Sequence, residues 1–160
     1  MAVMTIMEEE RRSRVASAAE LGIGARELSV YRWSFLLAVV YNTVWGVAVI
    51  LFPRKPFEIG GLPVPDATAL LLWQCIGMFV LVYAVGYWYL WRDPLRYAPF
   101  ALVATLGKVF GPVGWVWAYS QGIVPGSTGL TILTNDLLWW PVWFPFVYKA
   151  VIRPSLSRKR

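Results

Sequence analysis

The chain has 160 residues, of which 58% are hydrophobic and only 15% charged, with a formal charge of +6 and a mean hydropathy of +0.55. Soluble domains average about 45–50% apolar and about 25% charged, so an ordinary soluble domain is excluded. With no histidine and Cys75 as the single cysteine, an internal disulfide, Cys/His zinc sites, His-ligated haem or bacteriochlorophyll and Ser-His-Asp catalysis are excluded within this chain.

In chain order, residues 1–30 read as a cytoplasmic N-terminal arm. Glu8, Glu9 and Glu10 precede Arg11, Arg12 and Arg14. This order is unlike a signal peptide, which puts positive charge first and an apolar core directly after. Glu8 with Arg12 and Glu10 with Arg14 are spaced as favourable helical ion pairs, suiting a short polar or amphipathic helix, either solvated or docked on a partner.

Residues 31–152 read as a four-helix transmembrane bundle, making the chain all-α. The expected spans are Trp33–Phe52, Ala67–Trp91, Tyr97–Tyr119 and Leu130–Ile152. Each reaches the ~20 residues that a helix needs to cross the hydrocarbon core. Strands are excluded because the runs lack the polar alternation of a barrel, and backbone in lipid must satisfy its own hydrogen bonds. Pro53, Pro56, Pro63 and Pro65 fold the first loop tightly, and Pro125 with Gly122, Gly126 and Gly129 the last. Asp93-Pro94 turns the chain between the second and third spans, since the residue before proline disfavours helix. Pro112, Pro141 and Pro145 lie deeper and are expected to kink the third and fourth spans.

Twelve of the fifteen Lys and Arg residues fall on one side of these spans: five in the N-terminal segment, Arg92 and Arg96 between spans two and three, and five from Lys149 onward, including the basic tail 153–160. Arg54 and Lys55 alone lie opposite. The positive-inside rule then places both termini on the cytoplasmic side of the membrane. The net charge is a topology signal and an attraction to anionic lipid, with no nucleic-acid partner implied.

Lys108 is the fifteenth cation and falls near the middle of the third span. Asp136 falls six residues into the fourth. At ~1.5 Å per residue they lie about 16 Å and 9 Å deep from the same side, a gap that a lysine stem can bridge. Asn135, Gln74 and Asn42 fall at similar depth. Ionisable groups in a bilayer cost about 2.5–3.5 kcal/mol by insertion scales and are therefore partnered. The expected arrangement is an intramembrane cluster of Lys108, Asp136, Asn135, Gln74 and Asn42. It reads first as an ion pair and amide network fixing helix register, and otherwise as an ion, proton or small-ligand site. Ala104, Gly107, Gly111, Gly114 and Ala118 recur at three- and four-residue spacing as a small-residue packing face. Trp139, Trp140 and Trp143 sit too deep for interfacial anchoring and suit packing against protein, lipid or a pigment or quinone tail. No Gly-rich phosphate loop occurs, and Cys75 is a lone thiol in an apolar span.

The strings Trp73-Gln74-Cys75-Ile76-Gly77-Met78 and Val82-Tyr83-Ala84-Val85-Gly86-Tyr87 resemble a motif of a small bacterial family of four-helix membrane proteins without an established biochemical function. Leu106-Gly107-Lys108-Val109-Phe110-Gly111-Pro112-Val113-Gly114 and Asn135-Asp136-Leu137-Leu138-Trp139-Trp140 are similar to its two later motifs. The resemblance covers about residues 32–149. Some members carry an alkyl hydroperoxide reductase label, which one thiol with no partner cannot support. Members often have His-Trp-Pro where this chain has Tyr97-Ala98-Pro99. DoxX-like proteins are similar only in helix count, which implies little about function.

Together these readings lead to the expectation of a non-catalytic accessory or structural subunit of a larger energy-transducing (photosynthetic or respiratory) membrane complex, in the bacterial inner membrane that the resemblance implies. Its partners would be membrane lipids and other membrane subunits. It would carry no catalytic residue, metal or cofactor, with bound lipid or a pigment or quinone tail held by surface contact only. The alternative is a membrane protein that handles an ion, proton or small ligand at the polar cluster.

Overall fold

The computed structural model describes residues 15–157; Glu8–Arg12 and Glu10–Arg14, the pairings expected in the N-terminal arm, lie outside the described residues. The protein is all-helical, with no strand among the described residues. Residues 15–20 form α1. Three long apolar helices follow: α2 (Ala25–Leu51), α4 (Ala67–Arg92) and α5 (Ala98–Ser120), with the short α3 (Lys55–Ile59) between the first two. These three are long and apolar enough to cross a membrane, at 27, 26 and 23 residues, or about 35–40 Å at ~1.5 Å per residue.

The helix boundaries follow local chemistry. Phe52, held out of the helical region before Pro53, ends α2. Asp66 caps α4, its side chain accepting from the Ala69 amide at 2.8 Å. Asp93, extended before Pro94, ends α4, and Pro99 is tolerated in the first turn of α5. Gly122 closes α5 at φ +69, with Ile123 N–H reaching the Ala118 carbonyl at 2.9 Å and Gly122 N–H reaching Tyr119 at 3.0 Å. This is the left-handed cap that a Cβ would strain.

The fourth expected span departs from expectation. Instead of one helix over 130–152 the structure has pieces: a 3₁₀ turn (Gly126–Thr128), α6 (Gly129–Asn135), a second 3₁₀ turn (Leu137–Trp139), α7 (Trp140–Val147), a π-helical turn (Tyr148–Ile152) and α8 (Arg153–Ser157). Asp136 stands at the break with φ −120 and ψ −62. Pro141 explains its place: proline has no N–H for the carbonyl four residues back, so helix restarts with Pro141 in its first turn. Pro112, by contrast, lies inside α5 without ending it.

Packing is uneven along the bundle. α2 and α4 pair closely where Gly46 meets Gly77: a Cβ on Gly46 would stand 2.8 Å from the Gly77 carbonyl oxygen, and one on Gly77 would stand 2.8 Å from Val49 Cγ1. The main core lies toward one end, where Tyr31, Phe35, Tyr87, Leu90, Ala101, Trp143 and Phe146 are buried together. Phe35 of α2 and Tyr87 of α4 pack on the aromatic residues of α7, with Phe35–Phe146 centroids 5.3 Å apart and Tyr87–Trp143 5.2 Å apart. Trp143 also donates its indole N–H to Ser34 Oγ at 3.2 Å. Trp139 and Trp143, expected on a lipid- or partner-facing surface or in packing, are thus buried inside the chain itself.

The same end holds α1. Ala18 and Ile23 join the core, and Lys149 Nζ bonds both Glu27 carboxylate oxygens at 2.7 and 2.9 Å and the Gly22 carbonyl at 3.1 Å. At the far end Trp73 meets Trp45 and Phe57 edge-on, with centroids 5.4 and 5.6 Å away. In α3 the hydrogen bond from Lys55 holds the Glu58 carboxyl below its ordinary range.

Candidate functional site

α5 brings Lys108 to the break in the fourth segment. Lys108 Nζ donates to Asn135 Oδ1 at 3.3 Å and lies 3.5 Å from Asp136 Oδ1. Asn135 Nδ2 donates to the same Asp136 oxygen at 2.9 Å. Lys108 is 8% exposed and Asp136 3%. Charges this deep persist only when paired and hydrogen-bonded, and the three side chains provide that for one another.

Gly111 makes room for the pair. A Cβ there would stand 2.5 Å from Asp136 Oδ2, so any larger residue would push the carboxylate away from Lys108.

The backbone at Lys108 is completed across the same contact. In a regular helix its carbonyl accepts from the amide four residues on, but that residue is Pro112, which has none. Trp140 supplies the missing donor: its Nε1–H reaches the Lys108 carbonyl at 3.1 Å. Lys108 is thereby tied to the fourth segment on both sides of the break, by its side chain to α6 and by its carbonyl to α7. In lipid an unmet carbonyl costs several kcal/mol, so this contact has structural weight.

A cleft of about 260 Å³ reaches the pair from between α4 and α5. One wall is the α4 face of Ile76, Phe79, Val80, Tyr83 and Tyr87. The other is the α5 face of Ala104, Gly107 and Gly111, with Lys108, Asn135, Asp136 and Asn42 at the polar end. Ile76 and Phe79 are exposed, so the cleft opens on the outer surface of the bundle. It exists because α4 and α5 are pinned together at one end. There Phe100 fills the place of a side chain at Gly86, its ring 2.1 Å from where a Cβ would stand, and it packs on Tyr83 and Tyr87.

Of the five polar residues expected to cluster, Lys108, Asp136 and Asn135 are in mutual contact, and Asn42 lines the same cleft near Tyr87. Gln74 lies elsewhere, donating from its amide to the Ile50 carbonyl at 2.8 Å and so tying α4 to the end of α2. The small residues of α5 also divide. Ala104 is buried and Gly111 faces Asp136, whereas a Cβ on Gly107 or Gly114 would meet nothing within 4 Å; Ala118 is half-buried. A close helix approach forms instead at Gly46 and Gly77, where no small-residue repeat marks either helix. The Trp140 contact was invisible for a related reason: nothing in spacing says which donor will serve a carbonyl that a proline has orphaned. Buried without a hydrogen-bond partner among the described residues are Trp73 Nε1, Thr105 Oγ1 and Trp139 Nε1.

Comparison of the chain with protein-family models, curated proteins and solved structures found no match.

Proposed function

We propose that this chain is a non-catalytic integral membrane subunit that packs within a larger membrane complex. The observation that carries this reading is how little the spanning helices cover one another: within their most apolar windows only 11% of α4 and 22% of α5 is buried inside the chain. Helices associate in lipid through close van der Waals contact, and small residues such as the open Gly114 permit a second backbone to approach. The Lys108–Asp136–Asn135 set fits a structural role, since its members satisfy one another and lack a nucleophile activated by a base. An energy-transducing complex, photosynthetic or respiratory, is the setting we favour. The end that carries Arg32, Arg92, Arg96 and Lys149 would face the cytoplasm, with the broken segment 129–157 as the fourth crossing.

A photo-reactive residue at Gly114, activated in the native membrane, tests this. Cross-links to other membrane chains are the expected result; cross-links confined to lipid contradict it.

A second reading is favoured by the cleft that reaches Lys108 and Asp136: handling of a small ligand that arrives through the lipid. Broken helices at membrane depth occur beside cavities, and Asp136, at the break, lines this one.

A further inference from the structure

The cleft between α4 and α5 specifies its occupant through shape, charge and hydrogen bonding. Its shape is a slot. Phe79 and Tyr83 of α4 line one side and Gly107 of α5 the other, so aromatic side chains stand across from an open position on α5, while the space above Gly111 is taken by the Asp136 carboxylate. A flat ring fits this space better than a branched chain does. The volume of about 260 Å³ exceeds the ~150 Å³ that holds a benzene ring in an engineered protein cavity.

Its charge is balanced, because the Lys108 ammonium and the Asp136 carboxylate offset each other at 3.5 Å. A neutral ligand leaves that balance intact, whereas an ion would break it at membrane depth. Its free hydrogen-bonding capacity includes a donor on Lys108. An ammonium carries three hydrogens; Asn135 and Asp136 account for two, and the third can serve an acceptor in the cleft.

Resting on the ligand-handling reading above, we propose that the cleft binds a neutral, lipid-soluble ring carbonyl compound of the quinone class. The ring lies between Phe79 and Tyr83 on one side and Gly107 on the other, a ring carbonyl accepts from Lys108, and the tail extends through the open side into lipid.

Gly107 provides the test, because it lines the cleft yet has open space at its Cβ position, so a larger residue there blocks the slot without disturbing the bundle. The full chain in phosphatidylcholine nanodiscs is titrated with a decyl-substituted benzoquinone, following tryptophan fluorescence, with Trp140 beside Lys108 as reporter. Decanol is titrated in parallel as a ring-free competitor. The expected result is saturable quenching that decanol does not displace, weakened about tenfold or more by Gly107→Phe and unchanged by Gly114→Phe, which lies outside the cleft. Quenching that never saturates, or that Gly107→Phe leaves unchanged, overturns the proposal. Saturable binding of decanol with none of the quinone overturns the ligand class alone and leaves the ligand-handling reading standing. Saturable binding of neither overturns both, and the Gly114 cross-linking result is untouched by any of these outcomes.

Discussion

Pro112 and Trp140 are 28 positions apart in sequence and meet through one carbonyl oxygen, that of Lys108. This contact makes a prediction that a generic packing role would not. Trp140→Phe keeps the ring and removes the donor, leaving a buried carbonyl unmet at a cost of ~1–3 kcal/mol. Pro112→Ala returns an amide to α5, so the double variant should recover most of that loss. The check is a double-mutant cycle on unfolding in detergent; additive losses would show that the indole N–H has no such role. Lys108→Met tests the neighbouring pair. It strands Asp136, which is 3% exposed, and should destabilise by ~3–5 kcal/mol, with much of the loss recovered by adding Asp136→Leu. The same unfolding assay reads both variants. The residues of this pair were legible in the sequence, because a lone cation and a lone carboxylate in apolar runs must find each other. Gln74 shows the limit of depth counting: a shared level says nothing of azimuth, and its amide turned instead to the Ile50 carbonyl.

The three long helices were legible because length and hydropathy decide them. The interruption of the fourth segment was legible only as Pro141 and Pro145. A proline reports a missing hydrogen bond, and whether the helix bends, continues or restarts depends on what else can serve the freed carbonyl. In α5 a donor was at hand and the helix continues through Pro112; around Asp136 the chain leaves the helix and restarts at Trp140. Element packing yields a contrast in glycine tolerance. Gly77→Leu should disrupt the α2–α4 crossing, where a Cβ already stands 2.8 Å from Val49, at a cost of several kcal/mol (overpacking alone costs ~1–3). Gly114→Leu, with open space at its Cβ position, should leave the isolated chain's stability within about 0.5 kcal/mol. Thermal unfolding of the purified variants distinguishes them, and equal losses would refute the packing described. At the other end, Lys149→Met should release the turn at Gly22, and α1 with it, from the fourth segment, seen as faster proteolysis within residues 15–23 with the long helices intact.

At the scale of the molecule, the protein is an unevenly filled bundle. Its core gathers toward the end carrying α1, α7 and the basic residues, and α4 and α5, in contact at Gly86 and Phe100, leave apolar flanks and the cleft at Lys108 open. Composition foretold a membrane protein, since 58% hydrophobic residues cannot be buried within a chain of this size. It could not foretell that so little of α4 would be covered by its own neighbours, because lipid and a partner helix demand the same apolar side chains. Whether those flanks meet other proteins is the central question, and native mass spectrometry of the complex extracted in mild detergent from its own membrane addresses it most directly. The account predicts this chain at a defined stoichiometry with other membrane subunits; a homogeneous monomer or homo-oligomer would contradict it.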